Sequence, residues 1–220
     1  MKTISLPWSQ IETVFLDMDG TLLDLHFDDF FWQHHLPRHW ARKHNLDLQQ
    51  AMDQLVPRFK RVEGTLDWYC LDYWSRELDV NIAMLKEDVA HLIAEHPGVL
   101  AFLRRLGECG KRRVLLTNAH QDALDLKLRH TQIGDCLDHT ISAHELGLAK
   151  EEPGFWQTLR AMEPFHPQKT LFIDDNFDVL DAAREAGIAQ LLGIAKPSSQ
   201  GTLKTHPTYT LINGFQQIMP

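Results

Sequence analysis

The stretch Val-Phe-Leu-Asp-Met-Asp-Gly-Thr-Leu-Leu-Asp, residues 14–24, joins a short apolar segment to two carboxylates that lie two residues apart. The apolar residues 14–16 predict a buried strand, because buried strands of parallel sheets carry continuous hydrophobic runs. Asp17 follows at the carboxyl end of this strand, where open α/β sheets place their ligands, and Gly20 allows the backbone to turn away. We therefore expect Asp17 and Asp19 to lie beside a bound cation.

This segment has two other possible interpretations besides a cation site, and one of them can be excluded. A solvated turn accounts for a bare Asp-x-Asp-Gly sequence about equally well, because Asp is a common turn former. An EF-hand loop is excluded, since its glycine belongs at the sixth position and its last ligand is Glu. Here Gly20 is the fourth residue counted from Asp17, and Asp28 is the twelfth.

The composition narrows the class of protein. The chain has 220 residues, 44% of them hydrophobic, which is enough for one domain or for a domain with a large insertion. A net charge of -8 argues against a nucleic-acid polymer as partner. The sequence shows no signal peptide and no long apolar run, and its three cysteines form no CxxC pair. We therefore expect a soluble cytoplasmic protein without disulfides or a membrane partner.

The pattern of predicted elements changes near Pro97. Helical periodicity covers the preceding residues, with predicted helices at 27–44, 48–60, 66–78 and 82–94. Helices and strands then alternate, with helices at 99–106, 122–130, 154–162 and 179–186 and strands at 113–116, 140–142, 170–173 and 188–192. Strand 14–16 needs partners in the same sheet. We therefore predict an α/β fold, a doubly wound parallel-sheet Rossmann-like core of residues 1–24 and 97–220, with an all-helical domain of residues 25–96 inserted.

Further polar groups lie where other strands of the core are predicted to end. Thr117 and Asn118 follow the strand 113–116, Lys150 follows Leu148-Ala149, and Asp174 and Asp175 follow the strand 170–173. Each group alone has an ordinary explanation as a helix cap, a loop lysine or an acidic turn. Parallel strands nevertheless end at one edge, and four carboxylates crowded there would repel one another without a cation. The sequence therefore predicts Mg²⁺ in an all-oxygen site.

These residues resemble the four motifs of the haloacid dehalogenase-like phosphohydrolases, in the same order. The motifs are Asp17-Met18-Asp19-Gly20-Thr21, Leu115-Leu116-Thr117-Asn118, Lys150, and Ile173-Asp174-Asp175-Asn176. The resemblance spans the core, and the helical insertion resembles the α-helical cap of that superfamily. Residues 19–25, 30–33, 68–75 and 116–120 are, more narrowly, similar to bacterial GMP/IMP 5′-nucleotidases. In one departure, Lys150 is followed by Glu151-Glu152-Pro153, whereas many capped relatives have proline directly after this lysine.

The resemblance implies a role for each motif residue. Asp17 is expected to be the nucleophile that forms an aspartyl-phosphate, and Asp19 the general acid and base. Mg²⁺ would be held by Asp17, by the main-chain carbonyl of Asp19, and by Asp174, Asp175 or both. Thr117, the amide of Asn118 and Lys150 would bind the phosphoryl oxygens, with Lys150 also acting on Asp17.

The expected substrate is a small phosphate monoester, most specifically a purine nucleoside monophosphate such as GMP or IMP. The helical insertion is rich in aromatic residues on which a purine could stack, although most of them must form its core. Among its polar residues, Gln33, Arg61 and Asp72 are candidates to contact the base. Two alternatives stay open, namely a phosphatase or mutase acting on phosphosugars or phosphoglycolate, and a phosphometabolite-binding module without catalysis. Nothing in the sequence predicts the oligomeric state.

Overall fold

The structure is a computed structural model, which describes residues 3–220. Its strands are β1 (Thr13–Leu16), β2 (Arg112–Thr117), β3 (His139–Ser142), β4 (Thr170–Asp174), β5 (Gln190–Ile194) and β6 (Thr210–Ile212). Its α-helices are α1 (His26–Phe30), α2 (Leu36–His44), α3 (Leu48–Val62), α4 (Leu66–Tyr69), α5 (Leu71–Leu78), α6 (Ile82–Glu87), α7 (Val99–Glu108), α8 (Gln121–His130), α9 (Ala143–Leu146), α10 (Phe155–Met162) and α11 (Phe177–Glu185). Short 3₁₀ turns lie at Ala90–Leu92, Gly134–Cys136, Pro167–Lys169 and Phe215–Gln217.

The six strands form one parallel sheet in the order β3-β2-β1-β4-β5-β6, with β1 near the centre. All four residues of β1 are buried, because strands pair with it on both sides and side chains cover both faces. Val14 and Leu16 point to one face, whose apolar cluster includes residues of α7 and α8. Phe15 points to the other face and packs among residues of α10 and α11. The predicted doubly wound α/β core is thereby confirmed.

The segment between β1 and α7 has a hydrophobic cluster of its own. Its members include Phe27, Trp40, Leu55 and Trp74, and this cluster also takes in Ala123 and Leu126 of α8. We call residues 25–96 the cap and the rest of the chain the core. The separate hydrophobic clusters of the two parts support this division of the chain. The boundaries between cap and core stay a prediction.

Two chain crossings join the cap to the core, and they lie side by side. Leu23 and Glu95 pair in antiparallel fashion. The amide of Asp24 donates to the carbonyl of Ala94 at 2.9 Å, and the amide of His96 donates to the carbonyl of Leu22 at 2.9 Å. Any motion of the cap relative to the core must therefore bend the chain at these two adjacent segments.

Several predicted elements differ from the structure. The helix predicted at 27–44 contains a π-helical turn at Phe31–His35 just before Pro37, which has no N–H to donate to the preceding turn. The helix predicted at 66–78 is interrupted at Cys70, whose backbone is extended and whose sulfur caps α5. The helix predicted at 82–94 ends at Glu87. Strand β5 lies two residues later than predicted, and the short edge strand β6 was not predicted.

Among residues 3–220, no helix combines the length and the apolar character needed to cross a membrane.

Candidate active site

Three carboxylates meet at the carboxyl edge of the sheet, where strand order reverses between β1 and β4. Asp17 follows β1 directly and Asp174 is the last residue of β4. The register pairs Leu16 with Ile173, so the two aspartates emerge side by side. Carboxylate oxygens of Asp17, Asp174 and Asp175 lie within 4.8 Å of one another. The structure thus brings together the acidic residues that the sequence places at separate strand ends.

Lys150 lies between Asp17 and Asp174 of this cluster, with its side chain buried. Its Nζ donates to Oδ1 of Asp17 at 2.6 Å, to Oδ2 of Asp174 at 2.7 Å and to the carbonyl of Leu116 at 3.1 Å. The expectation that Lys150 follows a strand end was wrong: β3 ends at Ser142, and Lys150 lies in the loop after the short helix α9. This loop returns the chain to the sheet edge, so the lysine reaches the cluster from a helix-to-loop segment instead.

The two glutamates that follow Lys150 hold its loop in place. The side chain of Glu151 accepts hydrogen bonds from Asn118 at 2.8 Å and from the Tyr69 hydroxyl at 2.9 Å, and Glu152 accepts one from the amide of Ala149 at 2.5 Å. Asn118 in turn accepts a bond from the amide of Lys150 at 2.8 Å. The departure from the usual lysine-proline sequence therefore leaves the ammonium group firmly placed.

Thr117 and Asn118 form the side of the site that β2 contributes. Thr117 is buried, and its hydroxyl accepts a hydrogen bond from the amide of Ala119 at 3.0 Å. Both residues line a cavity of about 460 Å³ together with Asp17, Asp19 and Lys150. All of the residues predicted for catalysis, phosphate binding and metal binding line this one cavity, including Asp174 and Asp175. Their individual roles stay predictions.

Burial sets the protonation behaviour of the acidic cluster. It raises the pKa of Asp17 and of Asp174 to about 6, against the lowering effect of the Lys150 charge. The pKa of Asp175 is also raised to about 6, by burial and by the charge of Asp17, against Lys204. Burial would lower the pKa of Lys150, but the charges of Asp17 and Asp174 outweigh it and raise that pKa. Three carboxylates face two lysines here, so the ionised cluster carries a net negative charge.

The residues present fit a divalent cation. Within the part of the chain that the structure describes, Oδ2 of Asp17 is buried and has no hydrogen-bond partner. A buried carboxylate oxygen without a partner is costly, and the nearby oxygens of Asp174 and Asp175 offer ligands of the type that Mg²⁺ prefers. Asp19 is outside this group of side-chain ligands, and a contribution from its main-chain carbonyl stays a prediction.

Gly20 is required by both the backbone and its neighbours. Its φ of +80° lies in the left-handed region, where residues with a Cβ are strained. A Cβ at this position would lie 2.8 Å from Cγ of Asp175. The turn that the sequence predicts after Asp19 therefore brings the backbone of Gly20 into close contact with Asp175, a candidate metal ligand.

Replacing Gly20 with Ala is expected to lower the free energy of unfolding by about 1–2 kcal/mol through the left-handed backbone, and also to displace Asp175. Gly64 is a matched control, because its φ is +78° and a Cβ added there would have no atom within 4 Å. We expect Gly64→Ala to show the loss of stability alone. Urea unfolding and hydrolysis assays of both variants measure the difference. Equal activity of the two variants would contradict the close contact.

Asp19 belongs to a buried chain of charges that the sequence interpretation missed. Lys127 of α8 donates to Oδ1 of Asp19 at 2.6 Å and to Oδ2 of Asp28 at 2.7 Å, and Lys86 donates to Oδ1 of Asp28 at 2.6 Å. Burial raises the pKa of Asp19 to about 6, against the charge of Lys127. The signal in the sequence was a lysine on the apolar face of a predicted helix, beside Ala123 and Leu124.

A second cavity, of about 450 Å³, adjoins the acidic one and shares Asp19, Leu25, Tyr69 and Ala119 with it. Its walls are mostly apolar and come from the cap, with aromatic side chains at Trp32, Phe59, Trp68 and Trp74. Together the two cavities offer an acidic end and an aromatic end to one ligand.

Three polar cap residues were candidates to contact a base. Gln33 lines the aromatic cavity. Arg61 is instead bound to Glu77 at 2.9 Å and to the Tyr73 hydroxyl at 3.3 Å. The Asp72 side chain is 68% exposed, and neither Arg61 nor Asp72 lines the cavity.

The chain is similar in sequence to proteins of known activity. The model of the haloacid dehalogenase-like hydrolase family matches residues 11–187. The chain is 38% identical over 217 residues to the GMP/IMP nucleotidase YrfG of Escherichia coli (strain K12), with 99% of this chain and 98% of the relative covered. It is 24% identical over 187 residues to the (S)-2-haloacid dehalogenase H-109 of Pseudomonas putida, with 80% and 83% covered.

A solved structure shares the fold. The HAD phosphatase from Thermococcus onnurineus superposes with a TM-score of 0.74 at 17% sequence identity, covering 91% of this chain and 93% of that one. The family match extends from before β1 to the end of α11, and so includes the cap and the acidic cluster. The chain therefore belongs to the haloacid dehalogenase-like hydrolase family, as a phosphoric monoester hydrolase.

Proposed function

We propose that this protein is a Mg²⁺-dependent phosphatase that hydrolyses purine nucleoside 5′-monophosphates, GMP and IMP, through an aspartyl-phosphate on Asp17. The observation that carries the proposal is the position of Asp17, a buried carboxylate that Lys150 anchors at the floor of a cavity with Asp19 beside it. A carboxylate held in this way can act as a nucleophile whose covalent product is later hydrolysed.

The first step transfers the phosphoryl group to the enzyme. A carboxylate oxygen of Asp17 forms a bond to phosphorus while the bond from phosphorus to the ester oxygen breaks. The carboxyl group of Asp19 gives its proton to the departing oxygen, so the alcohol leaves as a neutral molecule. The raised pKa of Asp19, about 6, supports this role, because a proton donor must be partly protonated near neutral pH.

The second step restores the enzyme. Asp19, now ionised, takes a proton from a water molecule whose oxygen attacks the phosphorus of the aspartyl-phosphate. The bond between phosphorus and the Asp17 oxygen breaks, and inorganic phosphate and the free carboxylate result. One residue thus donates a proton in the first step and accepts one in the second, which requires that it lie beside Asp17 throughout.

Fixed positive charge and hydrogen-bond donors make the approach of two anions possible. Lys150 is placed to stabilise the charge that spreads over the phosphoryl oxygens, and Thr117 and the amide of Asn118 line the same cavity. Asp17, Asp174 and Asp175 would hold Mg²⁺. When bound, this ion supplies charge that neutralises the phosphoryl oxygens and the carboxylates around them.

The aromatic cavity supports a nucleotide as substrate. A phosphate among Asp17, Lys150 and Thr117 would place the rest of the molecule toward the adjoining cavity, where Trp32, Phe59 and Trp68 line the walls. Stacking of a base on an aromatic side chain contributes about 1–3 kcal/mol. The 38% identical relative is named a GMP/IMP nucleotidase, which favours a purine.

Phosphate release from a panel of monoesters tests the substrate assignment. We expect kcat/KM for GMP and IMP to exceed the values for hexose phosphates and phosphoglycolate by at least about tenfold, because only a base can use the stacking energy. Equal or faster hydrolysis of the sugar phosphates would favour the alternative phosphosugar phosphatase. Isomerised phosphosugar in the product would instead indicate a mutase. No hydrolysis of any ester by the native protein would favour a binding module without catalysis.

The aspartate at position 19 also bears on the similarity to a haloacid dehalogenase. Cleavage of a phosphate ester needs a proton donor for the leaving oxygen, whereas release of a halide needs none. Asp19 lies in the cavity, bound by Lys127, where such a donor is required. This arrangement favours phosphate-ester hydrolysis.

Mg²⁺ is expected to stabilise the protein more at about pH 7.5 than at about pH 5, because protons compete with the ion for carboxylates. Without the ion, Asp17, Asp174 and Asp175 bind more protons when folded, so their contribution to stability falls as the pH rises from their ordinary 3.8 through about 6. A ligand present at 100 times its Kd raises the free energy of unfolding by about 2.7 kcal/mol.

Thermal unfolding with and without MgCl₂ at the two pH values measures this effect. NaCl at equal ionic strength controls for screening, and Asp175→Asn should reduce the Mg²⁺-dependent shift. A shift of equal size at both pH values would argue against binding by these carboxylates.

A further inference from the structure

Four buried or partly buried charges of alternating sign run from the loop after β1 into the cap. The order is Asp19, Lys127, Asp28 and Lys86, with consecutive atoms 2.6–2.7 Å apart. The lysine side chains are 1% and 2% exposed, and the aspartates 22% and 17%. Two positive and two negative charges balance, which allows such a chain to be buried. Its members come from three helices and one loop.

The chain crosses from the core to the cap between Lys127 and Asp28. Lys127 is on α8 of the core, whereas Asp28 is on α1 and Lys86 on α6 of the cap. Lys86 Nζ also lies 4.7–5.6 Å from the ring centres of Phe27, Phe31 and Trp32, which fixes it within the cap. Asp28 and Lys86 therefore form an ion pair within the cap that meets the core at Lys127.

Lys127 is placed to set the orientation of Asp19. It binds Oδ1 of Asp19, and Asp19 lines both cavities. Anchoring Oδ1 leaves Oδ2 as the oxygen that can present a proton to a leaving group. The ammonium group is itself held by Asp28, at 2.7 Å. Loss of Asp28 would leave a long, flexible lysine side chain with one carboxylate instead of two, so the position of Asp19 would be less well defined.

We propose that Lys127 is a positioning residue for Asp19, and that Asp28 and Lys86 of the cap hold it in place, so that Asp19 is correctly oriented only when the cap is seated on the core. The inference rests on the proposed function, in which Asp19 protonates the leaving oxygen. It extends that function by coupling proton donation to the position of the cap through named side chains.

Two esters with different leaving groups test the proposal. The alcohol of GMP leaves only with a proton, whereas nitrophenolate from p-nitrophenyl phosphate is a weak base that leaves without one. Rapid-quench measurements with enzyme in excess follow the first step for both, as release of guanosine and of nitrophenolate. A misplaced general acid should slow only the first ester. We expect Lys127→Met to slow guanosine release by about 10²-fold and nitrophenolate release by less than about threefold.

The cap residue provides a second variant. Asp28→Asn preserves the shape of the side chain and leaves Lys127 paired with Asp19, so we expect a smaller selective loss, about tenfold for GMP. This variant carries the test if Lys127→Met does not fold. Glu163→Gln is the matched control, because Glu163 is also a buried carboxylate in an ion pair: it is 6% exposed and binds Arg112 at 2.6 Å. This pair lies at the start of β2, at the opposite end of that strand from Thr117. It should lower stability without a change in the ratio of the two rates.

Each outcome decides the question. Equal loss on both esters, or no loss on either, would overturn the positioning role. A higher KM for GMP with an unchanged single-turnover rate would mean that Lys127 contacts the substrate instead, which also overturns it. An unchanged ratio in Asp28→Asn would overturn the part assigned to the cap. Failure of the native protein to hydrolyse any alkyl phosphate would contradict the proposed function itself. If the native protein hydrolyses another alkyl phosphate but not GMP, that ester replaces GMP in the test.

Discussion

Replacing Asp17 with Asn is expected to lower the hydrolysis of every phosphate monoester by on the order of 10⁴-fold or more, because loss of a nucleophile removes the covalent route. The change keeps the size of the side chain and its place after β1. Initial rates with GMP and with p-nitrophenyl phosphate measure the loss, and both esters should be affected equally, since the nucleophile acts on phosphorus in each.

A test of folding accompanies this variant. Asp17→Asn removes a buried carboxylate whose pKa burial raises to about 6, and Lys150 retains Asp174 as a partner at 2.7 Å. We therefore expect no large fall in the melting temperature without Mg²⁺. Acid-quench labelling of the native enzyme should locate the phosphoryl group on Asp17. Substantial hydrolysis by the variant, or a label on another residue, would contradict the assignment.

Replacing Lys150 with Met is expected to lower the free energy of unfolding by about 3–5 kcal/mol, because breaking a buried ion pair strands the remaining charge. Here two carboxylates, of Asp17 and Asp174, would lose the cation between them. Urea unfolding in a Mg²⁺-free buffer measures this loss. Hydrolysis should also fall, since no other lysine contacts Asp17 within the described residues.

Lys204 is a matched control for that experiment. It binds Asp175 at 3.1 Å in the same cluster, but its side chain is 39% exposed. A solvent-accessible pair contributes only about 0–1 kcal/mol, so Lys204→Met should cost far less stability. Similar losses in the two variants would show that burial of Lys150 does not have the energetic weight assigned to it.

The core of the fold was predictable because its signals are local. Continuous apolar runs marked β1, β2 and β4, and the alternation of strands and helices indicated a parallel sheet. The exceptions are instructive. Strand β6 has three residues at the sheet edge, too few to form a pattern, and α4 and α5 are separated at Cys70 by a backbone change that helical periodicity does not register.

The residues of the candidate site were predictable from the sequence where they lie at the ends of strands. Asp17, Thr117 and Asp174 lie at the ends of three neighbouring strands, so a parallel sheet brings them together without further information. Lys150 was also expected at a strand end, and its placement after α9 shows that strand ends alone do not account for it. Nothing in the sequence indicated that Glu151 and Tyr69 hold this loop in place.

The sequence by itself determined the parallel sheet, the carboxylates at its edge and the family to which the chain belongs, because these depend on hydrophobic patterns and spacings between neighbouring residues. Only the tertiary structure decided which charges meet in the interior. Lys127 lies 108 residues from Asp19 and 99 from Asp28, and Lys86 lies 58 from Asp28. Pairing between such distant charges depends on how the cap packs on α8, and hydrophobic patterns do not encode that geometry.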